Sequence, residues 1–430
     1  MNRFSKVTRG RVCRLTAIAL AAVCLASGPS LVAQQPPAAL SGVIAKLQAG
    51  TEPVRVVCFG DSITGVYYHT GSQRAWTDLL GIALQKQWPA ARLEMHNAGI
   101  SGHTTAQGLG RMVRDVLSKK PHLVVVMFGM NDVVRVPLRD YEANLARIAD
   151  QCRAAGAAVV FCTPNSVVES PDRTNAKLAE YAAAMRRVAA GRGWPLADAF
   201  ADWESLRQRD PDAWTLLMSE AIHPNLNGQR RFAELMAGAI AGGTVTLSDA
   251  EAPPAPDPLR QTRARIAAGQ PVKIVAMPPY DRLVRERILA RHPDARVDVI
   301  VWPVSGASAG TATWDEAART ACKGLAKQIR EIKPDLVVVA PPAWVNAGAT
   351  DAAYMTDAQW MLNFAFPFAT RQWDVIAAMP TVAEPGAAMD EKRAGWWRRM
   401  ILGKDLAPLD RATGDDRPVE RLLDEVLFAP

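Results

Sequence analysis

Short apolar runs rich in β-branched residues alternate along the chain with longer stretches whose apolar positions recur at helical spacing. Val54, Val56, Val57 and Phe59 make the first run, residues 92–96 a second, residues 122–128 the most apolar one, 157–162 a fourth and 194–200 a fifth. Between them, residues 75–87 put Trp76, Leu79, Leu80, Ala83 and Leu84 on one helical face. The same spacing predicts helices over 106–118, 141–155, 175–190 and 228–240, with a short one over 40–48 ahead of the first strand. Strands that are apolar throughout, each followed by a helix, predict a parallel α/β sheet with helices on both faces.

The pattern then stops and begins again. Residues 247–270 open with Pro253, Pro254, Pro256 and Pro258 and read as a connector that ends in a short helix. Beyond it, Pro271-Val272-Lys273-Ile274-Val275 mirrors Pro53-Val54-Arg55-Val56-Val57. Three further matches follow in order: Arg296 to Gly306 against Arg92 to Gly102, Pro334 to Val339 against Pro121 to Val126, and Asp374 to Pro380 against Ala158 to Pro164. Four matches in sequence point to an internal duplication. The alternative is that any two α/β halves share such runs. The expected organisation is a first domain over 51–246, preceded by a lead-in at 34–50, a linker over 247–270 and a second α/β domain of similar topology over 271–430.

Residues 1–33 follow a different rule. Arg3, Lys6, Arg9, Arg11 and Arg14 precede an apolar stretch over 15–26, and small or apolar residues run on to Ala33. That order is a secretory signal peptide, so a secreted or periplasmic protein is expected. A lipid anchor at Cys24, after Ala21-Ala22-Val23, and a retained anchor segment are the alternatives. The leader carries five basic residues and no acidic one, so the formal net charge of +7 becomes +2 without it. Nothing in the remaining chain argues for a nucleic-acid partner or for a membrane span. Cys58, Cys152, Cys162 and Cys322 then remain, without paired metal-ligand spacing, and buried unpaired thiols are expected for most of them.

The chemistry-bearing residues lie at strand ends. Gly60-Asp61-Ser62 closes the first strand on a tight turn into a helix, where an α/β sheet binds ligands and where a Ser or Asp also serves as an N-cap. A glycine-bearing loop around Gly102 follows the second strand, Gly129-Met130-Asn131-Asp132 follows the third, and Glu220-Ala221-Ile222-His223 precedes the last helix of the first half. A parallel sheet brings such ends to one edge. There Ser62 can attack an acyl carbon, His223 can take its proton and Glu220 can hold the imidazole. The N–H groups of Ser62 and Gly102 and the Asn131 amide can supply an oxyanion hole. Read one at a time, Asn131 is a turn residue and Gly102 a loop glycine with positive φ. Asp61 is expected to brace its turn, and Asp132 to cap the next helix. Tyr67, Tyr68, His69 and His103 read as surface-loop residues before they read as pocket lining.

This set of motifs over residues 54–240 resembles the SGNH (GDSL) hydrolase superfamily. The resemblance implies a flavodoxin-like fold, ester hydrolysis through an acyl-serine without metal or other cofactor, Ser62 as nucleophile, His223 as base, and Gly102 and Asn131 as oxyanion donors. Glu220 stands where that family usually has Asp, with Asp198 and Asp202 as other candidates for the orienting carboxylate. A small acyl ester, an acetyl group on a carbohydrate first, is the expected substrate. The alternatives are a lipid or general short-chain carboxylesterase and a non-catalytic glycan-binding or scaffold protein with a decayed triad.

The second half cannot build that site. Pro278-Pro279-Tyr280 stands opposite Gly60-Asp61-Ser62, Trp344 opposite Asn131, and no histidine follows its last strand. It is expected to be a degenerate, non-catalytic copy that packs on the first domain. Seven of the twelve tryptophans lie in it, among them Trp302, Trp344, Trp396 and Trp397, which suit either a core or a platform for sugar rings.

Overall fold

Strand β1 (Pro53–Gly60) lies at the centre of a five-stranded parallel sheet with β2 (Arg92–Gly99), β3 (Leu123–Met127), β4 (Ala158–Cys162) and β5 (Leu196–Ala197) in the order β2-β1-β3-β4-β5. The computed structural model describes residues 37–72, 74–252, 257–302, 324, 326–340, 350–367, 371–383, 391–412 and 414–428. The leader, Cys322, Gly306 and Trp344 lie outside the described residues. Val124, Val125 and Val126 are fully buried because helices cover both faces of the sheet. β2 is an edge strand and shows it: Arg92, Glu94 and Asn97 are exposed. Phe59 and Phe128 meet edge to face beneath the strand ends, with ring centroids 5.1 Å apart.

Register brings the loops together. Gly60 pairs with Gly99 on one side and with Met127 on the other, so β1, β2 and β3 end level. A side chain at residue 60 would not fit: a Cβ there would lie 2.2 Å from Thr64 Oγ1 and 2.5 Å from the Met127 carbonyl oxygen. The predicted helices form as Trp76–Gln87, Thr105–Asp115, Leu138–Ala154, Asn175–Arg192 and Leu226–Ala241. The fifth strand is shorter than its apolar run suggests. Asp198 ends it by capping helix Ala199–Arg209, and Thr163 Oγ1 accepts the Phe200 N–H at 2.8 Å.

The second sheet has the order β7-β6-β8-β9-β10, built from β6 (Val272–Ala276), β7 (Val297–Val301), β8 (Leu336–Val339), β9 (Asp374–Ala378) and β10 (Ala407–Leu409). All its pairings are parallel, and its strands follow the same relative order as those of the first sheet. Trp302, Trp373, Trp396 and Trp397 are buried in its core, so these four pack around this sheet and offer no platform to a sugar. Cys58, Cys152 and Cys162 are free and buried, and burial pushes all three thiols up from their ordinary range. Among the described residues, no helix is long and apolar enough to cross a membrane.

Polar side chains knit the second sheet's helices to the first half. Gln359 donates to the carbonyls of Thr215 (2.9 Å) and Met218 (2.7 Å), and Asn363 donates to that of Ser219 (2.7 Å). Arg371 donates from its backbone to the Ser72 carbonyl and from Nε to that of Gly71, while Leu216 of the first half joins the second core. Replacing Phe128 by Ala removes a fully buried ring from under the strand ends. It is expected to destabilise the protein by about 3–5 kcal/mol, read as a lower urea midpoint.

Candidate active site

The turn after β1 is built by Asp61. Its Oδ1 accepts the Ile63 N–H at 2.9 Å and caps the single helical turn Ser62–Gly65, which leaves Ser62 at the first helical position. Gln229 ties this turn to helix Leu226–Ala241: its Oε1 accepts from Trp76 N at 2.8 Å, and its amide donates to the Ile63 carbonyl at 3.2 Å. Asn97 on β2 donates to the Thr64 carbonyl at 2.8 Å. The Ser62 side chain is therefore aimed by its backbone.

His223 arrives from the opposite side on a loop pinned at several points. Ser219 N donates to the His223 carbonyl at 2.7 Å, Asn165 donates to that of Ile222 at 3.0 Å, and the Val168 N–H reaches that of Ala221 at 2.9 Å. Asn225 then caps the following helix by accepting from Asn227 N and Gly228 N. The result places His223 Nε2 2.8 Å from Ser62 Oγ. Glu220 Oε1 accepts the backbone N–H of His223 at 2.7 Å and is hydrogen-bonded to its Nδ1. The longer carboxylate thus folds back onto its own loop and reaches the ring. Burial alone would raise the Glu220 pKa, but the charge and hydrogen bonds of His223 outweigh it and hold the carboxyl below its ordinary value.

Asp198 and Asp202 are engaged elsewhere. Asp198 pairs with Arg186 at 2.7 Å and Asp202 with Arg231 at 2.5 Å, so neither is available to orient His223. Gly102, at φ +76°, and Asn131 stand on the loops after β2 and β3. Asn131 Nδ2 donates to the His103 carbonyl at 3.1 Å, and Arg135 donates to that of Gly102. These bonds hold the two loops together, and the amide nitrogen of Asn131 keeps a second N–H. Asp132 does not cap the helix that follows it. Its Oδ1 takes the N–H (2.8 Å) and hydroxyl (2.5 Å) of Thr105, because helix Thr105–Asp115 presents its N-terminus there.

His69 departs from the surface-loop expectation. It is buried, and its ring stacks on that of His223 with centroids 3.9 Å apart and planes 8° apart. Its Nδ1 lies 3.1 Å from Ser219 Oγ. Burial, reinforced by the charges of His223 and Lys404, pushes its pKa well below the ordinary value and keeps the ring neutral. Lys404, from the second half, is buried beside it, and burial lowers its pKa to about 7 against the pull of Glu220. Sequence patterning gave no signal for Lys404 or Asn363, since neither touches the site through its own half of the chain. His69, Glu220 and His223 bring ligand atoms within 4.8 Å of one another, the one such group among the described residues. Glu220 is hydrogen-bonded to His223 at its backbone N–H and at Nδ1, whereas the His69 ring meets His223 by stacking.

Strands ending level, a serine on the first turn and an imidazole joining it to a carboxylate form a serine–histidine–carboxylate arrangement at the edge of the first sheet. Residues 58–231 match the model of the GDSL-like Lipase/Acylhydrolase family, and this stretch is a GDSL-like lipase/acylhydrolase domain. Esterase TesA of Pseudomonas aeruginosa is 37% identical over 127 residues, covering 28% of this chain and 61% of that protein. An acetylxylan esterase of Geobacillus stearothermophilus is 27% identical over 158 residues, or 34% of this chain and 71% of that one. The chain thus spans less than two thirds of the length of TesA. Among solved structures, LAE5, an α/β hydrolase enzyme from the metagenome of Lake Arreo, is 28% identical, with a TM-score of 0.38 over 44% of this chain and 94% of its own.

Burial raises the Asp61 pKa to about 7, against the Ile63 hydrogen bond and the charge of His223. Between about pH 4 and 7 the folded protein therefore keeps a proton that the unfolded chain releases, and stability falls as pH rises through that window. Asp61→Asn keeps the acceptor for Ile63 N and removes the titration. The expected outcome is a smaller drop in Tm between pH 5 and pH 8 than in the wild type.

Proposed function

We propose that the chain is an exported serine ester hydrolase that works through an acyl-Ser62 intermediate. The observation that carries this reading is the continuous relay from Ser62 Oγ through His223, 2.8 Å away, to the buried Glu220 carboxylate. In this mechanism His223 removes the Ser62 proton as Oγ attacks the acyl carbon, and Glu220 holds the Nδ1–H tautomer and balances the imidazolium. The N–H groups of Ser62 and Gly102 and the free N–H of Asn131 receive the oxyanion. His223 then protonates the leaving alcohol, and a water activated by the same nitrogen releases the acid.

An acetyl ester on a carbohydrate is the substrate class proposed, supported by the similarity to the acetylxylan esterase. The basic, apolar and small-residue order of residues 1–33 supports export.

Ser62→Ala is expected to bring hydrolysis of p-nitrophenyl acetate to the buffer rate; equal rates for the variant and wild type would refute the enzyme reading. Glu220→Gln is expected to lower kcat by about 10²–10⁴-fold, and Asn131→Ala by about 10²-fold or more, both measured in steady state. Hydrolysis of acetylated xylo-oligosaccharides with kcat/KM above that of p-nitrophenyl butyrate and longer esters supports the carbohydrate substrate, and the reverse order points to a lipid or general carboxylesterase.

A further inference from the structure

We propose that Lys404 and Asn363, both from the second half of the chain, are positioning residues for the His223 base and act through Ser219 and the His69 ring. The inference rests on the hydrolytic reading of Ser62 and His223.

Lys404 is 1% exposed and Asn363 fully buried, and neither has a reason to lie there as a packing residue. A buried ammonium is costly unless its donors are met. Lys404 Nζ meets three acceptors, the Ser219 hydroxyl at 2.8 Å, the His69 carbonyl at 3.2 Å and Asn363 Oδ1, which matches its three N–H groups. Ser219 Oγ in turn donates to Asn363 Oδ1 at 2.9 Å, and Asn363 Nδ2 returns a bond to the Ser219 carbonyl at 2.7 Å. With the single Ser219 proton committed to Asn363 and one of its lone pairs to Lys404, the 3.1 Å contact to His69 is met by an Nδ1–H on His69. The second half thereby sets both the position and the tautomer of the ring that stacks on His223.

Backbone packing fixes the origin of this network. The Lys404 carbonyl oxygen lies 1.7 Å from where a Cβ on Gly71 would be, two residues past His69, and Gly71 has φ +68°. Gly403 accepts the Leu226 N–H at 2.7 Å, at the start of the helix that follows His223. Ser219 is itself adjacent to Glu220 and bonded to the His223 carbonyl. The two segments that carry the site, the turn of His69 and the loop from Ser219 to His223, are therefore both tied to the Lys404 side chain. A neutral stacked ring limits rotation of His223 while adding no charge to oppose its protonation.

Lys404→Met keeps the length of the side chain and removes its donors. The expected outcome is a fall in kcat for p-nitrophenyl acetate of roughly ten- to a hundredfold with KM within about twofold, the scale of a misplaced catalytic group. The downfield proton resonance of His223 Nδ1–H is expected to shift or broaden with it. Asn363→Ala is expected to act in the same direction and carries the test should Lys404→Met not fold. Gln359→Leu, which cuts bonds to Thr215 and Met218 across the same interface, is expected to leave kcat and the resonance unchanged. Wild-type kcat and resonance in folded Lys404→Met and Asn363→Ala would overturn the inference, and so would an equal loss in Gln359→Leu, which would mark a general loosening of the interface. The resonance is read without turnover: a wild type that fails to hydrolyse esters strikes the esterase reading, whereas normal variants beside an active wild type strike this one alone.

Discussion

His223 is hydrogen-bonded at both ring nitrogens, to Ser62 and to Glu220, and the loops at the carboxyl edge of the first sheet are arranged to keep those two bonds. An imidazole held at one nitrogen only can rotate, and a rotated ring no longer lies in line between donor and acceptor. Here the backbone is fastened before the side chain is. The segment from Ser219 to Asn225 has its carbonyls and N–H groups bonded to Asn165, Val168 and Leu217, so little torsional freedom remains to the residues between. The level ending of β1, β2 and β3 then supplies the opposing wall, and Gly60 can close it because it has no side chain to accommodate.

Much of this was written in the sequence, and the reasons for success and failure differ by element. β1, β3 and β4 are buried on both faces, so their apolar runs announce them without ambiguity. β5 was overextended because residues 194–200 are apolar for another purpose: Phe200 belongs to a helix whose start is set by the Asp198 side chain, a local hydrogen bond that hydrophobic patterning does not record. Ser62 was expected at a strand end and stands directly after β1, whereas Glu220 and His223, expected at a strand end too, lie on the loop between helices Pro211–Thr215 and Leu226–Ala241. His69 was visible as a residue and misread as to burial, since its loop is polar and what covers it, the His223 ring, Ser219 and Lys404, lies far along the chain. Asp132 sits beside the helix start that it was expected to serve and instead holds Thr105, a partner distant in sequence.

The second sheet has the same relative strand order as the first and carries different residues after its strands. Tyr280 occupies the start of the helix after β6, buried in the core, where the first sheet presents Ser62. What this half offers the first is a polar, closely fitted face made by Gln359, Asn363, Arg371 and Lys404. Burying such groups stabilises little compared with an apolar interface of equal area, and its effect is to select a single docking geometry. An enzyme that must hold an imidazole within fractions of an ångström has a use for that selectivity.

The buried thiols of Cys58 and Cys162, in β1 and β4, impose an order of events on the life of the chain. Once the sheet has closed, oxidants cannot reach them and their thiolate forms are disfavoured, so they are inert in an oxidising compartment. Before it has closed they are ordinary reactive thiols. In such a compartment, folding and oxidation therefore compete in time, and a wrongly formed disulfide would trap β1 and β4 apart from the sheet they build. In an oxidising compartment, rapid assembly of the central strands would therefore protect both thiols.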